Sequence, residues 1–82
     1  RKNLDKENMK ENICKFISNT LGIDINKIEM DTHLINDLDL DSFTLVNLIG
    51  DLEDEFDVFF TEGEINSIQT VGDIVNYIEE NS

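Results

Sequence analysis

The sequence predicts an all-α domain: a small four-helix bundle with a long loop between helices 1 and 2 and a short third helix. Three observations predict it. Apolar residues recur at three- and four-residue steps over most of the 82 residues, the period of a helix with one buried face. No proline, low-complexity linker or internal repeat divides the chain, so residues 1–82 read as one domain. The β-prone run Val58-Phe59-Phe60 is too short to build a sheet.

In the first helix Leu4, Met9, Ile13, Phe16, Ile17 and Leu21 share a face, and Cys14 sits in that pattern as a small buried hydrophobe. Residues 1–3, which open on Arg1 rather than Met, are expected to be a disordered or extraneous start. Gly22 supplies the helix stop. Residues 23–39 have no sustained period and form a long connection with Ile25, Ile28, Leu34, Ile35 and Leu38 as anchors into the core. So long a connection in a small domain is often functional.

Asp41 opens the second helix as an N-cap whose carboxylate can accept from first-turn amides. Leu45, Leu48, Ile49, Leu52 and Phe56 form its apolar stripe. Asp51, Glu53, Asp54, Glu55 and Asp57 crowd its second half, where acids oppose the helix dipole. Local helix stability did not place them there, and a binding surface explains them better. Thr61-Glu62-Gly63-Glu64 is a capping-box pattern for the short third helix, with Ile65 and Ile68 facing inward. Thr70 and Asp73 begin the last helix in the same manner. Val71, Ile74, Val75 and Ile78 are its core side, and Tyr77 is a half-buried packing residue.

Charge narrows the function. The formal net charge is -13, and every Lys and Arg lies at or before Lys27. Such a field repels nucleic acid and anionic membranes and favours basic protein surfaces as partners. It also favours a monomer, through self-repulsion. No stretch approaches the roughly 18 apolar residues of a membrane span, and no signal-peptide pattern opens the chain, so a cytoplasmic protein is expected. Cys14 is the single cysteine, which excludes an internal disulfide, and no cluster has metal-ligand spacing.

Three readings of the centre compete. Asp37-Leu38-Asp39-Leu40-Asp41 has the alternating acids of a calcium loop, but Ser42 and Leu48 stand where that loop needs its glycine and bidentate glutamate. Ser42 as a nucleophile lacks an elbow sequence and an oriented base; His33, alone in a loop, reads as a surface residue. The third reading is that another enzyme modifies Ser42, which sits in a first turn where side chains are exposed and free amides favour an anionic group. Serine is also common as part of a cap, so position alone does not decide.

The surroundings do. Asp39-Leu40-Asp41-Ser42-Phe43, followed by Val46, Leu48 and Leu52-Glu53-Asp54-Glu55-Phe56, resembles the acyl and peptidyl carrier protein family, as does the Thr70-Val71-x-Asp73 helix start. The resemblance covers the chain from Leu4 to Ile78. It implies that a phosphopantetheinyl transferase, with magnesium, loads Ser42 with 4'-phosphopantetheine from coenzyme A. Asp41 would assist that loading. The arm's thiol would then carry acyl or aminoacyl groups as thioesters, leaving the hard chemistry to the arm and partner enzymes. No catalytic residue and no resident metal is implied.

Phe43 and Val46 lie beside Ser42 and off the main stripe. An exposed apolar pair ringed by acids suits helix-in-groove docking, with Asn47, Gly50, Glu53 and Asp54 completing the partner face. Phe43 could equally fold back onto the long loop; Val46 is the firmer surface residue. Several positions depart from the family pattern: Asp39 replaces a glycine, Phe43 a leucine, and Thr44 and Asn47 stand at often acidic positions. Gly50 replaces a large apolar residue, and Phe59-Phe60-Thr61 stands where Ile-Pro is common. These departures suit a stand-alone carrier with dedicated partners, such as a specialised acyl or aminoacyl ligase and downstream transferases or synthases, over bulk fatty-acid synthesis. The alternative is a carrier-like helical interaction module without an arm.

Overall fold

The structure, a computed structural model, describes residues 6–81. Leu4 and residues 1–3 lie outside them. Four α-helices follow in order: α1 (Lys6–Leu21), α2 (Ser42–Phe56), α3 (Glu62–Ser67) and α4 (Val71–Glu80), with a short 3-10 turn (Ile25–Lys27) after α1. No strand occurs among the described residues; His33 and Thr70 form an isolated antiparallel bridge.

α1 buries Ile13, Cys14 and Ile17 against α4 and α2. It ends where Gly22 takes φ 70°, a conformation open to a residue without Cβ. The Gly22 and Ile23 amides both donate to the Ser18 carbonyl, at 2.9 and 3.1 Å, and so close the last turn. Phe16 meets Phe56 of α2 edge to face, with ring centroids 6.0 Å apart.

The α1–α2 connection is anchored differently from the expectation. Ile28 and Leu34 are buried and Leu38 is partly buried, but Ile25 and Ile35 are exposed, at 38 and 43 %. Ile25 belongs to the 3-10 turn, which is held by hydrogen bonds and buries no residue: the Asp24 carboxylate accepts from the Asn26 amide, and the Ile28 amide donates to the Ile25 carbonyl. Ile35 lies in a turn organised by polar contacts to His33. Backbone bonding, not apolar anchoring, shapes these two places.

The loop is instead sewn to the start of α4. The Leu34 amide donates to the Gln69 carbonyl, and the Val71 and Gly72 amides donate to the carbonyls of Thr32 and Met30, at 2.8 to 3.0 Å. First-turn amides otherwise lack a helical partner. A Cβ on Gly72 would stand 2.8 Å from the Met30 carbonyl oxygen, so this close approach requires glycine. Buried Thr32 is satisfied, its hydroxyl accepting from the Glu29 amide and donating to the Lys27 carbonyl.

α2 buries Leu45, Leu48, Ile49 and Leu52, with Phe56 of its predicted stripe only partly buried, and α4 buries Val71, Ile74, Val75 and Ile78, the stripe its spacing predicts. α3 opens on Thr61, which accepts from the Glu64 amide at 3.2 Å; Ile65 is partly buried and Ile68 buried. In α4 the capping box is complete, with the Thr70 side chain on the Asp73 amide and the Asp73 carboxylate on the Thr70 amide. Tyr77 is half-buried, stacked on Phe60 at 4.4 Å, with its hydroxyl donating to the Phe59 carbonyl.

Candidate functional site

Asp41 is the N-cap of α2. Its extended backbone (φ -92°, ψ 174°) breaks the incoming chain, and its carboxylate accepts from the Thr44 amide at 2.8 Å. That bond, with a second contribution from the Thr44 side chain, holds the Asp41 carboxyl below the usual carboxylate range. The Asp41 carbonyl accepts the first intrahelical bond, from the Leu45 amide. Ser42 is thereby fixed as the first helical residue, and it is exposed. A group attached there would leave into solvent beside the positive end of a 15-residue helix.

The backbone just before this cap takes the left-handed conformation at Asp39, φ 61°. A second aspartate, Asp57, does the same at the C-cap of α2, φ 57°. Aspartate tolerates this region better than most residues, which explains how it can stand where the family pattern has glycine.

The docking residues named from the sequence fall on one face of α2, away from the buried stripe. Phe43 is 75 % exposed and Val46 51 % exposed, so Phe43 points outward rather than back onto the loop. Asn47 and Asp54 are exposed as well. Gly50 continues this face and opens on empty space: a Cβ there would meet nothing within 4 Å. Glu53 behaves differently. It is half-buried, and its carboxylate accepts from the Phe60 amide at 2.8 Å, so it braces the α2–α3 loop.

Two features are not legible in the sequence. Phe59 is 72 % exposed whereas Phe60 is buried, a distinction that two adjacent phenylalanines do not reveal. The Glu53 bond to the Phe60 amide and the Tyr77 bond to the Phe59 carbonyl hold this loop from both sides and leave the Phe59 ring outside. His33 is partly buried rather than a bare surface residue, and its ring nitrogen accepts two backbone amides. Its signal was only its place in a loop rich in turn-forming Asn and Asp. Among the described residues no group of His, Cys, Asp and Glu has the arrangement to hold a metal, and no helix is long and apolar enough to cross a membrane.

Comparison with known proteins agrees with this geometry. A family described as "Phosphopantetheine attachment site" matches residues 11–78. An acyl carrier protein of Clostridium acetobutylicum is 42% identical over 69 residues, covering 84% of this chain and 90% of the relative. That of Thermotoga maritima is 40% identical over 75 residues, covering 92% and 93%. Among solved structures, an acyl carrier protein from Enterococcus faecalis superposes with a TM-score of 0.78 at 30% identity, covering 96% of this chain and all of the other.

Proposed function

Because the chain belongs to the acyl carrier protein family, whose attachment-site match spans residues 11–78, we propose that Ser42 is the residue that carries its prosthetic arm. The protein is a carrier and not an enzyme, and its cofactor is 4'-phosphopantetheine. When bound, that arm supplies a terminal thiol on which acyl groups are held as thioesters.

One observation carries the assignment: Ser42 offers an exposed hydroxyl at the first position of α2, immediately after a cap that fixes its backbone. The residues present fit the group. The phosphodiester would lie at the positive end of the helix, and Asp41, held ionised by the Thr44 amide, keeps that end in place. Asp41 assists the loading by a phosphopantetheinyl transferase, which brings coenzyme A and magnesium. Incubation with coenzyme A, magnesium and a broad-specificity transferase should add one phosphopantetheine by intact mass, and Ser42→Ala should abolish the gain. No addition, or addition elsewhere, would refute the assignment and favour an interaction module without an arm.

Phe43, Val46, Asn47, Gly50, Glu53 and Asp54 form the partner face. The first two supply apolar anchors and Asp54 free negative charge, while Glu53 adds charge as it braces the loop. Partners with basic docking surfaces suit it: the transferase, an acyl or aminoacyl ligase, and downstream transferases or synthases. The 82 residues act as one carrier domain, monomeric and cytoplasmic, without nucleic acid or membrane partners, as the charge of -13 favours. The departures at Asp39, Phe43, Asn47 and Gly50 favour a specialised pathway over bulk fatty-acid synthesis. Ligation by a dedicated acyl or aminoacyl ligase in preference to elongation by fatty-acid enzymes would support that reading, and the reverse would sink it.

A further inference from the structure

Residues 33–38 feed the chain into Asp39 and the cap of α2, and they are organised around the single histidine of the sequence. His33 Nδ1 accepts from the amides of Ile35 at 3.3 Å and Asn36 at 3.1 Å. The His33 amide donates to Asp37 Oδ2 at 2.8 Å, and the His33 carbonyl accepts from the amides of Asp37 and Leu38. The same residue bridges to Thr70 at the start of α4. Among the described residues two carboxylates lie against this turn: Asp37, which accepts from the His33 amide, and Asp73 of α4, whose carboxyl is lowered in part by the His33 charge. Both are acidic.

A ring nitrogen that accepts two N–H groups must keep its lone pair, so the closed turn requires neutral imidazole with its proton on Nε2. We propose that His33 is a pH-sensitive clasp on the 33–38 turn, closed by the neutral ring and opened when Nδ1 is protonated. Protonation sets a third N–H against the two amide N–H groups, and both bonds are lost. The acids do not oppose the opening. Asp37 Oδ2 already serves the His33 amide, and Asp73 Oδ2 the amides of Gln69 and Thr70. Their negative charge instead stabilises the imidazolium once the ring has turned away from the amides.

Opening is local. The Ile35 and Asn36 residues are exposed, so water can take their freed amides. The bonds of Leu34 to Gln69 and of Leu40 to Leu34 do not involve the ring and stay in place. The segment that loosens is the one leading to Asp41 and Ser42. Any effect on loading rests on the assignment of Ser42; the clasp itself does not.

The test is an NMR titration of the isotopically labelled full chain from about pH 8 to about pH 5, the range in which histidine changes charge. The Ile35 and Asn36 amide resonances should move with the same midpoint as the His33 ring resonances. Their exchange with water, corrected for the intrinsic pH trend, should rise about tenfold, the scale of one lost hydrogen bond. In His33→Asn the side-chain oxygen can accept amides without titrating, so both resonances should stay flat over this range. If these amides stay flat in the wild type while the ring titrates, the clasp is refuted. It is equally refuted if His33→Asn reproduces the wild-type midpoint, since a carboxylate would then be responsible. Ser42 loading does not enter the measurement, so the two proposals fail separately.

Discussion

Asp57 holds the C-cap of α2 at φ 57°, and its amide donates to the Glu53 carbonyl. The left-handed region costs a residue with a Cβ about 1 kcal/mol or more, and an acid at a helix C-terminus also meets the negative end of the dipole. Asp57→Gly removes both penalties, against the larger entropy glycine loses on folding. It should raise stability by about 1 kcal/mol, seen as a Tm increase of about 4–8 °C in thermal unfolding. Gly72 makes the opposite case. Gly72→Ala places a methyl group 2.8 Å from the Met30 carbonyl oxygen, backbone that cannot step aside without loosening the loop. It should cost about 1–3 kcal/mol by the same measurement. Neither position announces itself in the sequence. Asp57 does not look like a residue with positive φ, and the need for glycine at 72 arises from Met30, far away along the chain.

The last helix shows what is legible at the scale of an element. Thr70 and Asp73 stand three residues apart, and each satisfies the other's amide, so the motif can be read locally. The same spacing at Thr61 and Glu64 predicts a box of which the Thr61 half is made. The apolar stripes of α2 and α4 were equally legible, because a 3.6-residue period needs no partner to be seen. The stitching of the loop to α4 was not, since its donors and acceptors lie in different segments. Hence the sequence offers Ile25 and Ile35 as anchors where backbone bonds do the holding. The Asp73 carboxyl is held below its usual range, first by the Gln69 amide and then by Thr70 and His33. A lowered folded pKa means that the unfolded chain binds the proton more readily. The stabilisation is therefore complete above the unfolded value near pH 4 and is lost as the pH falls through the folded one. Asp73→Asn should lower Tm at neutral pH, and the gap to wild type should shrink steadily below about pH 4.

For the whole molecule the governing quantity is the net charge of -13. Among the described residues the ion pair is Lys15–Glu11 on α1, exposed at 3.7 Å, and an isolated surface pair contributes little. Screening therefore removes much repulsion and little attraction. Raising ionic strength from about 10 mM to about 150 mM shortens the Debye length from about 30 to about 8 Å. Tm should rise by on the order of 5 °C, and a fall would show that attractive pairs outweigh the repulsion. Composition makes this behaviour legible without a structure. It does not reveal which acids are engaged, as Glu53 is with Phe60, and which stand exposed on the proposed partner face, as Asp54 does.

The placement of Cys14 has a practical corollary for a protein that works through a thiol on its arm. Cys14 is packed into the core beside Ile13 and Ile17, and burial pushes its thiol above the usual range, with Lys10 offsetting this in part. It stays protonated and out of reach, so a thioester on the arm has no competing sulfur on the folded chain to migrate to. With its arm unacylated the carrier thus presents a single reactive thiol, and a maleimide dye or a cross-linker can be placed on the arm without first deleting a cysteine.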